Sequence, residues 1–411
     1  MPVLKWLIIS VLVGILSGSA SALFLYFLDL FTEIREDNLW LIALLPLAGL
    51  LIGLAYHYWG GEVVKGNNLL LDEYQNPKKI IPFKMAPMVL LGTLITHLFG
   101  GSAGREGTAV QMAAAISDQF SRFFKPEADD RKMLIILGIS AGFASVFGTP
   151  WAGTVFAIEI LLWSKFRYKA IIPAFLSAFI ADYTCTAWNI SHTHYSIPTV
   201  PEISSQNLVI AVAAGIIFGL TAWLFSVSNR FWANIFKSTV TFAPFRPLIG
   251  GICIALAVWI LGNTRYIGLG VPVIQQAFTE NQNGYDFLMK ILFTTFTIGA
   301  GFKGGEVTPL FYVGATLGNI LVWILPLPMG LLAGMGFVAV FAGTTNTPLA
   351  CTIMGIELFG FESAPFIVIA CFVSYLFSGP MGIYSSQKIG GFKLMIYGKL
   401  KMISTAHIPP E

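Results

Sequence analysis

Apolar runs follow one another along this chain with only short polar breaks between them. Leu7 to Leu30, Leu39 to Tyr56, Met133 to Phe147, Leu208 to Phe225, Leu248 to Leu261, Ile320 to Phe341 and Pro365 to Phe377 bracket the ~20 apolar residues that a membrane-spanning helix needs. Shorter runs, of roughly 10 to 15 residues cut by Gly, Pro or Thr, predict tilted or broken helices that stop inside the protein. Such ends are tolerated at membrane depth only where the freed backbone lines a cavity. The pattern predicts an all-α polytopic membrane protein.

Composition agrees with the pattern. Hydrophobic residues make up 56% of the chain and charged residues 11%, against about 25% charged in soluble domains. No polar stretch is long enough for a separate soluble domain, and the tail from Lys388 is too short for one. Forty-one glycines suit the close helix packing of membrane interiors. The first apolar segment is too long for a signal-peptide core and has no small-residue cleavage site, so it is read as retained structure.

Charge sets the expected orientation. Basic residues gather at Lys5, at Lys78, Lys79 and Lys84, at Arg122, Lys125, Arg131 and Lys132, at Lys165, Arg167 and Lys169, and in the tail at Lys388, Lys393, Lys399 and Lys401. The positive-inside rule places these loops and both termini in the cytoplasm of a cell whose inner (plasma) membrane holds the protein. The net charge of +3 reflects this loop bias and makes no case for nucleic acid. Cys185, Cys253, Cys351 and Cys371 form no Cys-x-x-Cys pair and read as small buried thiols.

The chain repeats itself. Gly101-Ser102-Ala103-Gly104-Arg105-Glu106-Gly107-Thr108 resembles Gly301-Phe302-Lys303-Gly304-Gly305-Glu306-Val307-Thr308, pairing Glu106 with Glu306 at an offset of 200 (306 − 106). Gly148-Thr149-Pro150 through Glu159 resembles Asn346-Thr347-Pro348 through Glu357 at an offset of 198 (357 − 159). Two ordered matches argue for duplication, and Gly/Pro-interrupted segments at matching places in two halves point to a transport site at the midplane. The expected halves are 1–200 and 201–411, within one transport domain. The polar stretch from Asn189 to Gln206 reads as an extramembrane linker between them. His192 and His194 within it have no further ligand nearby, so no metal is expected.

Glu106 sits at a loop-to-helix turn ahead of the helix-forming run from Ala109 to Ile116. Unpaired N–H groups at such a turn attract an anion, and a carboxylate can take the anion's place. When protonated it loses that attraction, so one side chain can act as both gate and proton carrier. An ionisable group inside a membrane span is costly and marks function. The alternative is a carboxylate paired with Arg105 at a membrane surface.

With the glycine-rich turn before Gly104-Arg105-Glu106-Gly107, the later Gly304-Gly305-Glu306-Val307-Thr308-Pro309, and Tyr384 in Ser378-Gly379-Pro380-Met381-Gly382-Ile383-Tyr384, the chain resembles the CLC family of anion channels and anion/proton exchangers. The motifs run from position 66 to 384. The resemblance implies a homodimer with a pathway in each subunit, each subunit an inverted repeat of many tilted helices. It makes Glu106 the gating glutamate and Tyr384 a hydroxyl donor to the anion. Three departures from the common chloride pattern stand out. Asn67, in Lys65-Gly66-Asn67-Asn68-Leu69, replaces the serine of Gly-Ser-Gly-Ile-Pro; Thr108 replaces the proline after the gating motif; and Val307 replaces the phenylalanine of Gly-x-Phe-x-Pro. Together they resemble the bacterial fluoride/proton antiporter branch.

Fluoride holds its water tightly, so stripping it requires compact donors, which Asn67, Thr308 and Tyr384 can supply. Gly104, Arg105, Gly107 and Val307 complete the expected anion site. Asn67 could instead be a helix N-cap, and Thr308 could bond back within its own turn. Glu306 reads as a proton relay because its mate in the repeat is the gate, with anchoring of the turn as the alternative. Glu159 and Glu357, matched in the two halves, read as structural hydrogen-bonding groups. The inner proton glutamate of chloride exchangers has no counterpart at apolar Ile160. His97 reads as a neutral buried histidine, and Lys303 as an interfacial lysine or an attractor of anions. The function expected is export of fluoride against proton entry, with chloride/proton exchange or passive anion conduction as alternatives. An enzyme is not expected: the chain shows no Gly-x-Ser-x-Gly, no His-Glu-x-x-His and no Walker loop. No cofactor is implied, and the partners are fluoride, protons, the lipid bilayer and a second copy of the chain.

Overall fold

The computed structural model describes residues 3–124, 127–161 and 168–387, with 393, 395 and 397 beyond them. Lys125, Lys165, Arg167, Lys388, Lys399 and Lys401, which entered the orientation argument, lie outside the described residues. Among the described residues every regular element is a helix, as the apolar pattern predicts. Leu4–Asp37, Leu39–Lys65, Lys169–Ala187 and Ser205–Thr239 are long and apolar enough to cross a membrane. The remaining apolar helices are shorter, as the interrupted runs imply.

Two series of helices run in parallel order. A 35-residue helix opens each, Val3–Asp37 and Ser205–Thr239. Leu45–Ala55, Asn67–Gln75, Met85–Leu98, Glu106–Asp118, Ala128–Phe147, Pro150–Leu161 and Tyr168–Ala187 follow the first. Phe245–Leu261, Val271–Gln276, Asp286–Ala300, Val307–Leu321, Met329–Thr345, Pro348–Phe359 and Ala364–Phe377 follow the second. Ala128–Phe147 and Met329–Thr345, at matching places in the two series, both end in the left-handed backbone that glycine adopts freely, at Gly148 (φ 69°) and at Asn346 (φ 57°).

Two contacts show how the halves are related. The glycine turns pair as an antiparallel bridge, with Gly104 N donating to Gly305 O at 2.5 Å and Gly305 N to Gly104 O at 2.7 Å. Farther along, each half caps the other. The Glu159 carboxylate accepts from Leu349 N and Ala350 N at 3.0 and 2.8 Å, and the Glu357 carboxylate accepts from Trp151 N and Ala152 N at 3.2 and 3.0 Å. Residues 198 apart exchange roles (349 − 151, 350 − 152, 357 − 159), which is what an axis of twofold inversion requires. The structural reading of Glu159 and Glu357 accounts for both oxygens of each.

The bridge also corrects the pairing at the turn. Helices begin at Glu106 and at Val307, a difference of 201 (307 − 106), and the residues ahead of them are Arg105 and Glu306. Glu306 therefore matches Arg105, and Glu106 matches Val307. Two glutamates one residue out of register had drawn the sequence match to 200.

Small residues hold the helices that carry the turns. A Cβ at Gly314 would stand 2.0 Å from Gly336 O, and one at Gly318 would stand 2.1 Å from Leu332 O, so Val307–Leu321 and Met329–Thr345 touch backbone to backbone. In the first half Gly138 and Gly142 do the same, with Cβ positions 2.5 Å from Ala114 Cα and 2.6 Å from Ala109 O. Glycines four apart that let helices meet this closely are the usual membrane solution where apolar burial gives little drive. Cys185, Cys351 and Cys371 are buried, but Cys253 is exposed on the Phe245–Leu261 helix, because its face carries outward Ile249, Ile252 and Leu256 toward the lipid side.

Gly314→Ala adds a methyl group where a backbone oxygen already stands. It should lower the thermal unfolding midpoint in detergent, by a cost of about 1–3 kcal/mol typical of overpacking; an unchanged midpoint would show that the helix pair has slack that this packing excludes.

Candidate functional site

Glu106 opens the helix Glu106–Asp118, and its side chain is 1% exposed. A carboxylate this deep needs donors on every side. Thr308 supplies them from the other half: its backbone N reaches Oε2 at 3.0 Å, and its hydroxyl lies 2.6 and 2.7 Å from Oε1 and Oε2. Arg105 N adds a bond to Oε2 at 3.2 Å, and Arg105 Nε stands 3.6 Å from Oε1. The Thr308 contacts come from the first turn of Val307–Leu321, so the carboxylate sits in the positive field of that helix's N-terminus as well as its own. Hydrogen bonds to a charged group are worth about 1.5–3 kcal/mol each. The surface-pair alternative for Glu106 and Arg105 is excluded by this burial.

Glycine makes the approach possible. A Cβ at Gly104 would be 3.0 Å from Glu106 Oε2 and 2.9 Å from Pro309 Cδ, and one at Gly107 would be 3.1 Å from both Asn67 Nδ2 and Gly305 Cα. Any side chain at either place would push the two turns apart.

Glu106 separates two voids. On the linker side a void of ≈ 10 Å³ is lined by Arg105, Glu106, Thr193, Tyr195, Thr308 and the rings of Phe147, Phe311 and Phe337. On the other side a cavity of ≈ 20 Å³ is lined by Asn67, Gly107, Val307, Tyr384, Ile160 and Phe143, again with Glu106. That volume holds about one water-sized particle. Asn67 and Tyr384 also line a larger cavity of ≈ 200 Å³, together with Gln111, Lys303 and Glu306. Glu106 is thus common to the lining of the void on the linker side and of the cavity on the Asn67 side.

Most of the sequence-predicted residues meet here. Asn67 is the first residue of Asn67–Gln75 with Gly66 as its N-cap, and its side chain makes no cap bond, so the capping alternative fails. Its Oδ1 is buried without a partner among the described residues, and Asn67 lines the cavity beside Glu106. Thr308 bonds to Glu106 and not to its own turn. Thr108 is turned away, its hydroxyl 2.7 Å from that of Thr93. Glu306 does not touch Glu106; it is the N-cap residue of its helix and lines the ≈ 200 Å³ cavity. Lys303 lines the same cavity, with Nζ 4.1 Å from the centroid of the Tyr56 ring. His97 is fully buried, and its carbonyl accepts from Arg35 Nη1 at 3.1 Å. The His192 and His194 pair joins no metal-binding cluster among the described residues.

Sequence reasoning missed two sets of residues. The linker folds back so that Thr193 and Tyr195 reach the void beside Glu106, and Tyr195 packs on Phe337 at 5.1 Å. The aromatic walls also went unread: Phe143 stacks on Phe156 at 4.4 Å and Phe311 on Phe337 at 3.9 Å, one pair on each side of the gate. Ring edges carry the positive part of the aromatic quadrupole. Phenylalanine spacing on a fully buried helix gives no signal that separates such a wall from ordinary core.

A family model described as "voltage gated chloride channel" matches residues 48–379. A "chloride/fluoride channel protein" of Pseudomonas syringae pv. tomato is 52% identical over 395 residues, covering 95% of this chain and 87% of that protein. The crystal structure of a CLC-type fluoride/proton antiporter superposes with a TM-score of 0.90 at 36% identity, covering 93% of this chain and 98% of the other. A slow cyanobacterial Cl⁻/H⁺ antiporter shares the fold at a TM-score of 0.79 and 17% identity, over 98% of this chain and 99% of its own.

Proposed function

This chain belongs to the voltage gated chloride channel family, the CLC family, whose members are channels and antiporters and not enzymes, and from that premise we propose that it is a fluoride/proton antiporter exporting fluoride from the cytoplasm. One observation carries the proposal: the Glu106 carboxylate closes the partition between the two voids while holding the donors of Thr308 that an anion would use. Deprotonated, Glu106 competes with the anion for those donors. Protonated, it gives them up, and its departure toward one side exchanges a proton for an anion travelling to the other.

The choice of fluoride rests on the size and chemistry of the site. The ≈ 20 Å³ cavity admits a water-sized ion, fluoride is of that size, and chloride is larger. Asn67 and Tyr384 border this cavity and Thr308 borders the other side of Glu106, so compact donors lie along the whole path. Gly104, Arg105, Gly107 and Val307 shape the same passage. The fluoride named for the Pseudomonas syringae relative and for the antiporter structure supports the reading.

Glu306 takes the role of proton relay, now on the ground of position. It lines the larger cavity that Asn67 and Tyr384 join to the gate region, so a proton leaving Glu106 on that side meets a second carboxylate. The basic cluster of Lys78, Lys79 and Lys84 supports an orientation with the Asn67 side in the cytoplasm and the linker outside, in the plasma membrane of a bacterium. Each subunit of a homodimer would hold its own pathway, with residues 1–200 and 201–411 as its two halves.

Three measurements bear on this reading. Purified protein in liposomes should move fluoride much faster than chloride, read with ion-selective electrodes; equal fluxes would leave a chloride/proton exchanger, and fluxes without proton movement would leave the passive channel. Glu106→Gln keeps the carboxyl's shape but cannot change charge, so proton-driven uphill fluoride movement should vanish; undiminished uphill transport would place the gate elsewhere. Glu306→Gln should impair proton coupling in a dimer that still elutes normally on gel filtration. Intact coupling in that folded dimer would reduce Glu306 to an anchor of its turn, since an amide oxygen still accepts N–H bonds.

A further inference from the structure

Tyr384 lies outside any long helix, in the stretch 378–387 after Ala364–Phe377, yet its hydroxyl has to stand at a fixed distance from Asn67 if both are to strip water from one small ion. The chain around it is held from two sides. Toward the second half, Ile383 N donates to Thr344 O at 3.0 Å, and Gln387 Nε2 donates to Thr345 O at 2.8 Å. Both acceptors are at the end of Met329–Thr345. Gly382 is pressed so close that a Cβ there would be 2.4 Å from Thr344 O. Toward the first half, Ser386 N donates to Asn68 Oδ1 at 3.0 Å, and Gln75 Nε2 donates to Ser386 O at 2.6 Å.

Asn68 and Gln75 are seven residues apart on Asn67–Gln75, two turns along one face. Both backbone groups of Ser386, two residues after Tyr384, are therefore held by the helix whose first residue is Asn67. That helix is itself anchored to the gate helix: Arg131 Nη1 reaches Glu73 at 3.0 Å, and Arg131 Nη2 reaches Asp118 at 2.8 Å, at the far end of Glu106–Asp118. Asn67, Tyr384 and Glu106 consequently share one frame.

We propose that Asn68 and Gln75 are positioning residues that fix Tyr384 relative to Asn67, so that the second asparagine of the Asn67-Asn68 pair sets the spacing at which the first can work. Asn68 borders the ≈ 200 Å³ cavity, but its Oδ1 is engaged by Ser386 N, and Gln75 Nε2 by Ser386 O. A site must hold its groups within about 0.5 Å to distinguish occupants of similar charge and different size, and a tyrosine on an irregular segment meets that demand only through such a clamp. The inference rests on reading Asn67 and Tyr384 as anion donors.

A double-mutant cycle tests it, run in liposomes with whichever anion the wild type carries. Asn68→Ala should raise the apparent KM about tenfold, as loss of an outer hydrogen-bonding partner does elsewhere, while the maximal rate falls less than twofold. Tyr384→Phe should raise KM to a similar degree, and the double variant should be no worse than Tyr384→Phe alone, because Asn68 acts through the hydroxyl that is already gone. Gln75→Met, which removes the other arm of the clamp, should shift KM the same way, and its cycle with Tyr384→Phe stands in if Asn68→Ala does not fold. Multiplicative effects in the double variant, or a wild-type KM in folded Asn68→Ala, overturn the proposal. A wild type that moves no anion overturns the transport reading as well, so the two failures are distinct.

Discussion

A carboxyl group deep in a membrane protein has to be surrounded by hydrogen-bonding partners that the lipid cannot provide, and Glu106 is the one around which the two glycine turns are arranged. Its donors come from the opposite half, at the first turn of Val307–Leu321. For that turn to reach it, the two glycine loops have to touch, and they do so by the mutual bonds of Gly104 and Gly305. For the loops to touch, their helices have to be seated without slack, which the backbone contacts at Gly314, Gly318, Gly138 and Gly142 provide. These six glycines are thus traceable, step by step, to one carboxyl group.

The same constraint shapes what the site can do. The carboxyl group of Glu106 is held by three hydrogen bonds from Thr308 and one from Arg105 N. The voids on either side of it are small, and their walls are rings and a few compact polar groups. No broad basic surface lines them: Arg105 is the one basic residue among their lining residues.

Much of this was legible in the chain. Apolar runs give the helices because periodicity and length survive any tertiary arrangement, and the Gly-Arg-Glu-Gly turn announces itself by its glycines. The duplication was visible too, but its register at the turn was not: two glutamates invited a match of like with like, while the backbone pairs Glu106 with Val307. Identity in sequence and equivalence in space part company where one half keeps the buried carboxyl group and the other supplies most of its donors. Phe143, Phe156, Phe311 and Phe337 were invisible as lining because a phenylalanine facing a void and one facing a neighbour carry the same hydrophobic signal. Tyr195 was hidden differently, since a polar stretch reads as an excursion into water until its fold shows it returning. The role of Asn68 depends on a contact with Ser386, more than three hundred residues away, which no local pattern encodes.

The exchange of caps between Glu159 and Glu357 has a consequence for how the two halves are joined. Each carboxylate finds its two N–H partners only on the other half. The start of Pro150–Leu161 and the Glu159 carboxylate are both completed by Pro348–Phe359, so at this seam neither half can satisfy its own helix end and its own acid, and the two are obligate partners.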